Sequence, residues 1–322
     1  MKKKNSNYIY IGLLVVLVLI YIGIKLGNVS PDKNFDSRSL AVDTTKVTKI
    51  FISSQSAPSG VTVEKVNGGW IVKGDSMQAE ADINTVTNML AELANLDIES
   101  VVASSPDKWK DYELTDSAAT EVKVYDEKGN VLKDLYIGKL RFKRMKQAYG
   151  MGSNGVPYTF VREGNNDETY LVKGMLAITF NRNFTNLRNQ MIAKLVKDKV
   201  NKISFTYPAD SSFTLVKKDS IWWINGKDTA DMNKVDSYLN MVGWLSDSHF
   251  DDKFKPTQDA IYTIKYEGND FTPITIRAYQ KDSMNYVINS TYNPKAYFVT
   301  IKEHLINRIY KPKSFFVKHK SK

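Results

Sequence analysis

The chain has 322 residues, of which 42% are apolar and 25% charged, so it has the composition of a folding globular body and not of a disordered one. It has no cysteine, which excludes disulfides, thiolate metal sites and thiol nucleophiles. The net charge of +10 sits at the ends: residues 1–27 and 311–322 carry nine lysines and no acid, which leaves 36 basic against 35 acidic residues in between. A folded nucleic-acid reader needs a basic body, so no nucleic acid is expected as a partner.

Residues 5–24 carry no charge, and the stretch YIYIGLLVVLVLIYIGI is dominated by Ile, Leu and Val. At a rise of about 1.5 Å per residue this run spans a bilayer core of roughly 30 Å. Tyr8, Tyr10 and Tyr21 lie towards its ends, where amphipathic rings favour the interface. The run is long for a signal peptide and lacks a small-residue cleavage site after it, so residues 1–27 are read as one uncleaved transmembrane anchor. Lys2, Lys3 and Lys4 on a very short tail favour a cytoplasmic N-terminus. The body is then extracytoplasmic, in the periplasm if the source is Gram-negative, and the chain is single-pass in the inner membrane.

Residues 28–44 are polar and aperiodic and read as a linker. An internal repeat follows. Val47-Thr48-Lys49-Ile50 matches Val200-Asn201-Lys202-Ile203, and Trp70-Ile71 matches Trp223-Ile224, both at an offset of 153. Asp82 caps a helix with a stripe of Ile83, Val86, Leu90, Leu93 and Leu96; Asp231 caps a second one with Met232, Val235, Leu239, Val242 and Leu245, all at an offset of 149. Val122-Lys123-Val124-Tyr125 matches Thr263-Ile264-Lys265-Tyr266 at 141, and Tyr170-Leu171-Val172 matches Tyr297-Phe298-Val299 at 127.

Alternating strands are expected at residues 61–66 and 213–216, and a hairpin around Glu127-Lys128-Gly129-Asn130. Late helices are expected near residues 176–188 and 301–309. The expected class is α+β: two tandem copies of a mainly antiparallel sheet with a packed helix, residues 45–194 and 195–322, behind one transmembrane helix.

Several chemical motifs are weaker than they look. Gly150-Met151-Gly152-Ser153-Asn154-Gly155 spells G-x-G-x-x-G, but the following Val156-Pro157-Tyr158-Thr159-Phe160-Val161 reads as a strand. A dinucleotide site needs a helix there, so no cofactor is expected. His249 lies among Asp247, Asp251 and Asp252, but without a rigid ligand spacing this reads as a solvated loop and no metal is assigned. Asp107, Asp111 and Glu113 cluster around Trp109 and Tyr112; without evidence of a cleft they read as surface acids. No G-x-S-x-G or S-x-x-K assembly is present, and a non-enzyme is expected. The densest basic stretch holds Lys139, Arg141, Lys143, Arg144 and Lys146, which are the candidate partner-binding residues. A charged edge strand that resists aggregation is the plainer reading of the same residues. The tail KPKSFFVKHKSK touches lipid headgroups or frays.

Lys108-Trp109-Lys110-Asp111-Tyr112-Glu113-Leu114-Thr115-Asp116-Ser117, with Thr120-Glu121-Val122-Lys123-Val124-Tyr125 and Leu135-Tyr136-Ile137-Gly138-Lys139, resembles the domain of unknown function 4340 family, common in Bacteroidota. The resemblance covers nearly the whole chain and implies an N-terminal membrane helix and a repeated module. Where that family often has Tyr-Gly-Leu, this chain has Tyr112-Glu113-Leu114, which suggests a subgroup. The resemblance implies no catalytic residue, and it implies association with ABC-transporter permeases of the gliding-motility type. Two functions follow: an accessory or scaffold subunit beside integral membrane transport proteins, or an envelope module that binds an anionic glycan or lipid.

Overall fold

The computed structural model describes residues 40–143 and 155–318. The expected anchor at residues 5–24, most of the linker, Arg144, Lys146 and nearly all of the G-x-G-x-x-G loop lie outside the described residues. Among the described residues, no helix is long and apolar enough to cross a membrane. The class is α+β, with mostly antiparallel sheets and a few helices.

The chain divides into two compact units. Of the described residues, the smaller holds 40–45, 90–119, 135–143 and 155–177; the larger holds 46–89, 120–134 and 178–318.

In the larger unit, strands β1 (Lys49–Ser54), β2 (Ala57–Val66), β3 (Gly69–Lys73), β4 (Gln78–Glu80) and β6 (Thr120–Tyr125) lie in the order β4-β3-β2-β1-β6. Alternation explains them: Ile50 and Ile52 of β1 and Val122 and Val124 of β6 are buried, with half-buried residues between. The same unit holds β11 (Val200–Thr206), β12 (Phe213–Lys218), β13 (Ile221–Ile224), β14 (Asp228–Thr229), β16 (Tyr262–Gly268), β17 (Ile274–Gln280), β18 (Asn285–Ser290) and β19 (Asn293–Ile301). Their order is β14-β13-β12-β11-β16-β17-β18-β19. A short pair, β10 (Met191–Lys194) with β15 (Trp244–Ser246), completes the unit. In the smaller unit, β5 (Ile98–Ala103), β8 (Val156–Glu163), β9 (Thr169–Lys173) and the greater part of β7 (Val131–Lys143) run β7-β8-β9-β5.

Both capped helices form. In α1 (Ile83–Ala94) the Thr85 amide donates to Asp82 Oδ1 at 2.7 Å. The helix Met232–Val242 starts where the Asn233 and Lys234 amides donate to the Asp231 carboxylate. The buried stripe of α1 is Val86, Met89 and Leu93, and Leu96, two residues beyond the helix end, is buried as well. Ile83, expected in it, is 57% exposed, and Leu90 is half-buried. At about 100° per residue, Val86, Met89 and Leu93 fall within about 60° of one another around the helix, and Leu90 and Ile83 lie about 40° and 60° beyond Val86, on the flank of that face. The later helix buries Val235, Tyr238, Leu239 and Val242, with Met232 half-buried.

The ladder register corrects two of the sequence matches. Ile50 pairs with Val63 and Val124, and Ile203 pairs with Leu215 and Tyr266. Val63 in turn pairs with Val72, and Leu215 with Ile224. Positions alike in the ladders are therefore Val72 and Ile224, 152 apart, and Val124 and Tyr266, 142 apart. The Trp70-Ile71 match at 153 and the match at 141 are each one residue out, which in a strand turns every side chain to the opposite face, whereas the Ile50–Ile203 match at 153 holds. The buried tryptophan of β13 is accordingly Trp222, and Trp223 faces outward, half-buried.

The late helices are short: α2 (Leu176–Phe180) and α3 (Phe184–Leu187) in one region, a π-turn at Lys302–Ile306 and a helical turn at Asn307–Ile309 in the other. With α1 to α3 so placed, Met232–Val242 is α4 and Asn307–Ile309 is α5.

The C-terminal segment neither frays nor faces lipid at Phe316. That ring is fully buried, 5.6 Å from Phe205, 5.8 Å from Phe213 and 5.4 Å from Tyr238 between centroids. Its carbonyl accepts from the Asp231 amide at 2.8 Å, so it also receives the start of α4. Phe316→Ala should lower stability by about 3–5 kcal/mol through lost burial and a cavity. Chemical denaturation of the variant against the parent protein measures this.

Candidate functional site

The basic stretch lies partly on β7, where Lys139, Arg141 and Lys143 are exposed at alternating positions. Two of the three are engaged locally. Lys139 Nζ donates to the Asp111 carbonyl, and Lys143 Nζ lies 2.9 Å from Glu99. That hydrogen bond and the Glu99 charge push the Lys143 pKa upward. Arg141 has no hydrogen bond or ion pair with a described residue.

The Trp109–Gly138 motif is a packing device. Arg162, 2% exposed, lies with its guanidinium carbon 4.0 Å from the Trp109 ring centroid and 3.5 Å from that of Tyr136. Its Nε donates to the Leu114 carbonyl at 2.9 Å and its Nη2 to Asp116 at 2.6 Å. A buried cation is costly unless bonded, and the two rings and two acceptors meet that need. Gly138 is required because a Cβ there would fall 2.1 Å from the Tyr112 carbonyl oxygen. Asp107, Asp111 and Glu113 lie exposed on and just beyond the 3-10 helix Pro106–Tyr112.

The His249 loop is organised by internal pairing. Asp247, 7% exposed, accepts from the His249 amide and lies 2.7 Å from His249 Nδ1 and 3.5 Å from His304 Nδ1. Asp251 pairs with Lys281 and Asp252 with Arg188. Among the described residues, no group of three or more His, Asp or Glu side chains is placed to hold a metal ion.

Two hollows among the described residues lie in the larger unit. One of about 740 Å³ lies between residues 256–260 and strands β16 and β17, with Arg277 and Tyr279 on its sheet wall. Residues 256–259 of its other wall are fully exposed loop.

The second hollow, about 550 Å³, is built on the core. Tyr207, Tyr262 and Tyr310 form its aromatic floor. Their centroids lie 5.5 Å (Tyr207–Tyr262), 5.3 Å (Tyr262–Tyr310) and 6.3 Å (Tyr207–Tyr310) apart. Tyr207 is held at both ends: its hydroxyl donates to the Lys311 carbonyl at 3.0 Å, and its amide donates to Ser212 Oγ at 2.9 Å. The loop between β11 and β12 forms one wall, with Ala209 and Asp210 both at positive φ (55° and 53°). Ser211 and Ser212 staple that loop by donating to the Pro208 and Tyr207 carbonyls. Lys302 and Lys313 stand at the rim, neither bonded to a described residue. Sequence reading missed this site, because its residues run from 207 to 314 with no shared period or motif.

The family model for Domain of unknown function (DUF4340) matches residues 70–266. The match covers more than half of the chain, and the protein belongs to that family. No curated protein and no solved structure matches it.

The middle position of the Tyr112-Glu113-Leu114 motif has a backbone that suits glycine. Glu113 sits in the left-handed region, φ 60° and ψ 38°, where its amide closes the 3-10 helix. Glu113→Gly removes the Cβ clash of that conformation and should raise stability by about 1 kcal/mol, read by thermal or chemical denaturation.

The tyrosine cluster sets an alkaline limit. Burial raises the pKa values of Tyr207, Tyr238, Tyr266 and Tyr310 above the usual 10.0. A raised folded-state value means the unfolded chain releases protons first. This stabilisation is complete below pH 10 and is lost as pH climbs from there towards the folded values. Unfolding titrations should show a steep fall in stability above pH 10, and Tyr207→Phe should soften it.

Proposed function

We propose that this member of the domain of unknown function 4340 family is a non-enzymatic, membrane-anchored accessory or scaffold protein with an extracytoplasmic body. The observation that carries the reading is the charge-free run at residues 5–24 followed by a polar linker. Such a tether confines the body near the bilayer and raises its effective concentration for integral membrane proteins. The resemblance noted from the sequence points to transport permeases of the ABC type as those partners.

The body is a tandem duplication on this reading. The succession β4-β3-β2-β1-β6 around α1 parallels β14-β13-β12-β11-β16 around α4. Val86, Met89, Leu93 and Leu96 are buried as Val235, Tyr238, Val242 and Leu245 are. The copies fall at residues 45–194 and 195–322. A second reading, an envelope module for an anionic glycan or lipid, draws support from the aromatic-floored pocket.

Full-length protein, extracted at native expression, should co-purify with integral membrane transport subunits identified by mass spectrometry. Arg141→Glu should weaken this association without lowering the melting temperature much, because Arg141 is exposed and exposed charges contribute little to stability. Lys143 is left intact to keep its pair with Glu99. A phosphatase fused after Lys322 should be active, whereas an inactive one would reverse the orientation. Recovery of the protein alone would remove the scaffold role.

A further inference from the structure

We propose that the pocket floored by Tyr207, Tyr262 and Tyr310 binds an anionic sugar unit of a glycan. The inference deepens the second reading above and does not depend on the scaffold role.

The chemistry of the walls selects the ligand. A volume of about 550 Å³ falls within the roughly 300–1,000 Å³ of small-molecule sites. Phenol rings offer flat apolar faces with polar edges, suited to a ring that is apolar on its C–H face and hydroxylated around its rim. Tyr207 and Tyr262 are half-buried and so keep part of their surface available. Ile306 and Pro312 are the only aliphatic apolar side chains among the described lining residues, so an acyl chain or an aliphatic peptide anchor finds little slot.

The rim supplies hydrogen bonds. Asn225, Asn307 and Ser314 line it, all exposed. Asn225 uses its Oδ1 to accept from the Thr214 amide at 2.8 Å, which leaves its NH₂ as a donor. Charge then narrows the class. Lys302 and Lys313 have no described partner, and Asp210 is the single acid among the lining residues. Two free cations against one acid favour an anion on the sugar, a carboxylate or a phosphate.

The pocket is also prepared for its occupant. Consecutive positive φ values at Ala209 and Asp210 are unfavourable for residues with a Cβ and persist only where neighbours hold them. Here the two serine staples and the Tyr207 anchor do so. A wall fixed before binding reduces the ordering cost of a small polar ligand.

The test uses full-length protein in lipid nanodiscs, which avoids sugar-headed detergents. Saturation-transfer NMR and titration would compare a glucuronic-acid disaccharide, a hexose 6-phosphate and a neutral disaccharide. At least one acidic probe should bind, with the neutral probe tenfold or more weaker. Lys302→Ala with Lys313→Ala should lower acidic-probe affinity at least tenfold. Asn307→Trp, at an exposed position, should fill the pocket and abolish transfer, whereas Lys128→Ala in the exposed turn between β6 and β7 should leave transfer unchanged. Failure of all three probes to bind would overturn the proposal, as would binding that survives Asn307→Trp. Equal binding of neutral and acidic probes would overturn the anionic assignment. Co-purification with transport subunits is read separately, so either claim can fail alone.

Discussion

The second half of the body depends on a chain of buried phenols. The Tyr238 and Tyr266 hydroxyls lie 2.8 Å apart, and Tyr238 donates to the Ile309 carbonyl at 2.8 Å. Both rings are essentially inaccessible to water. A buried hydroxyl left unbonded costs about 1–3 kcal/mol, so each phenol restricts where the others can sit. The consequence is geometric: α4, β16 and α5 are fixed to one another by three polar atoms inside an apolar core. With Ile309 set, Tyr310 is placed beside Tyr262, and Phe316 is brought over Phe205 and Phe213. The pocket floor is thus the outer surface of the same arrangement that closes the core.

Much of the architecture was legible because local physics decided it. Asp82 and Asp231 stand where an amide needs an acceptor, and both cap. The hairpin at Gly129 follows from its turn residues, and the strand at Val156 follows from a run of β-branched and aromatic residues, which the structure buries continuously from Tyr158 to Arg162. The failures share a cause. Ile83 and Trp223 are apolar residues at the margin of a pattern, and only packing decides which side they take. Phe316 lies among lysines, and composition reports the lysines. A one-residue error in matching strands is invisible to residue identity, because Val, Ile and Tyr suit either face until the ladder register is known.

The motif that carried the family resemblance describes the making of a loop and not of a catalytic site. Trp109, Leu114 and Tyr136 surround Arg162, which the sequence does not single out, and Gly138 lets the Tyr112 carbonyl approach beside them. An arginine whose planar group is stacked on two rings and bonded at two nitrogens fixes the direction of the chain between β5 and β6. Signals strong enough to identify a family are here those of its fold, and the candidate pocket has none, since it is assembled from loops and from a segment beyond the matched residues 70–266.

On the duplication proposed here, the hairpin tips show how two copies of one architecture diverge in use. Ile52 pairs with Val61 in the first copy, and Phe205 pairs with Phe213 at the like position of the second. Eight residues close the first tip and seven the second, so length does not separate them. In the first, the ladder resumes at Ser54 and Ala57, and Ser56 is sealed against Asn181 by a 2.8 Å hydrogen bond. In the second, Pro208 lacks the amide a ladder needs, and the chain opens through two left-handed residues stapled by serines. Met89 of α1 is matched by Tyr238 of α4, whose hydroxyl draws in the C-terminal turn that floors the cavity. Each tip carries a proline, Pro58 and Pro208, so the left-handed pair at the second tip and a phenol on one helix account for why a hollow with free cations forms beside β11 and β12, where the like position beside β1 and β2 is closed by hydrogen bonds.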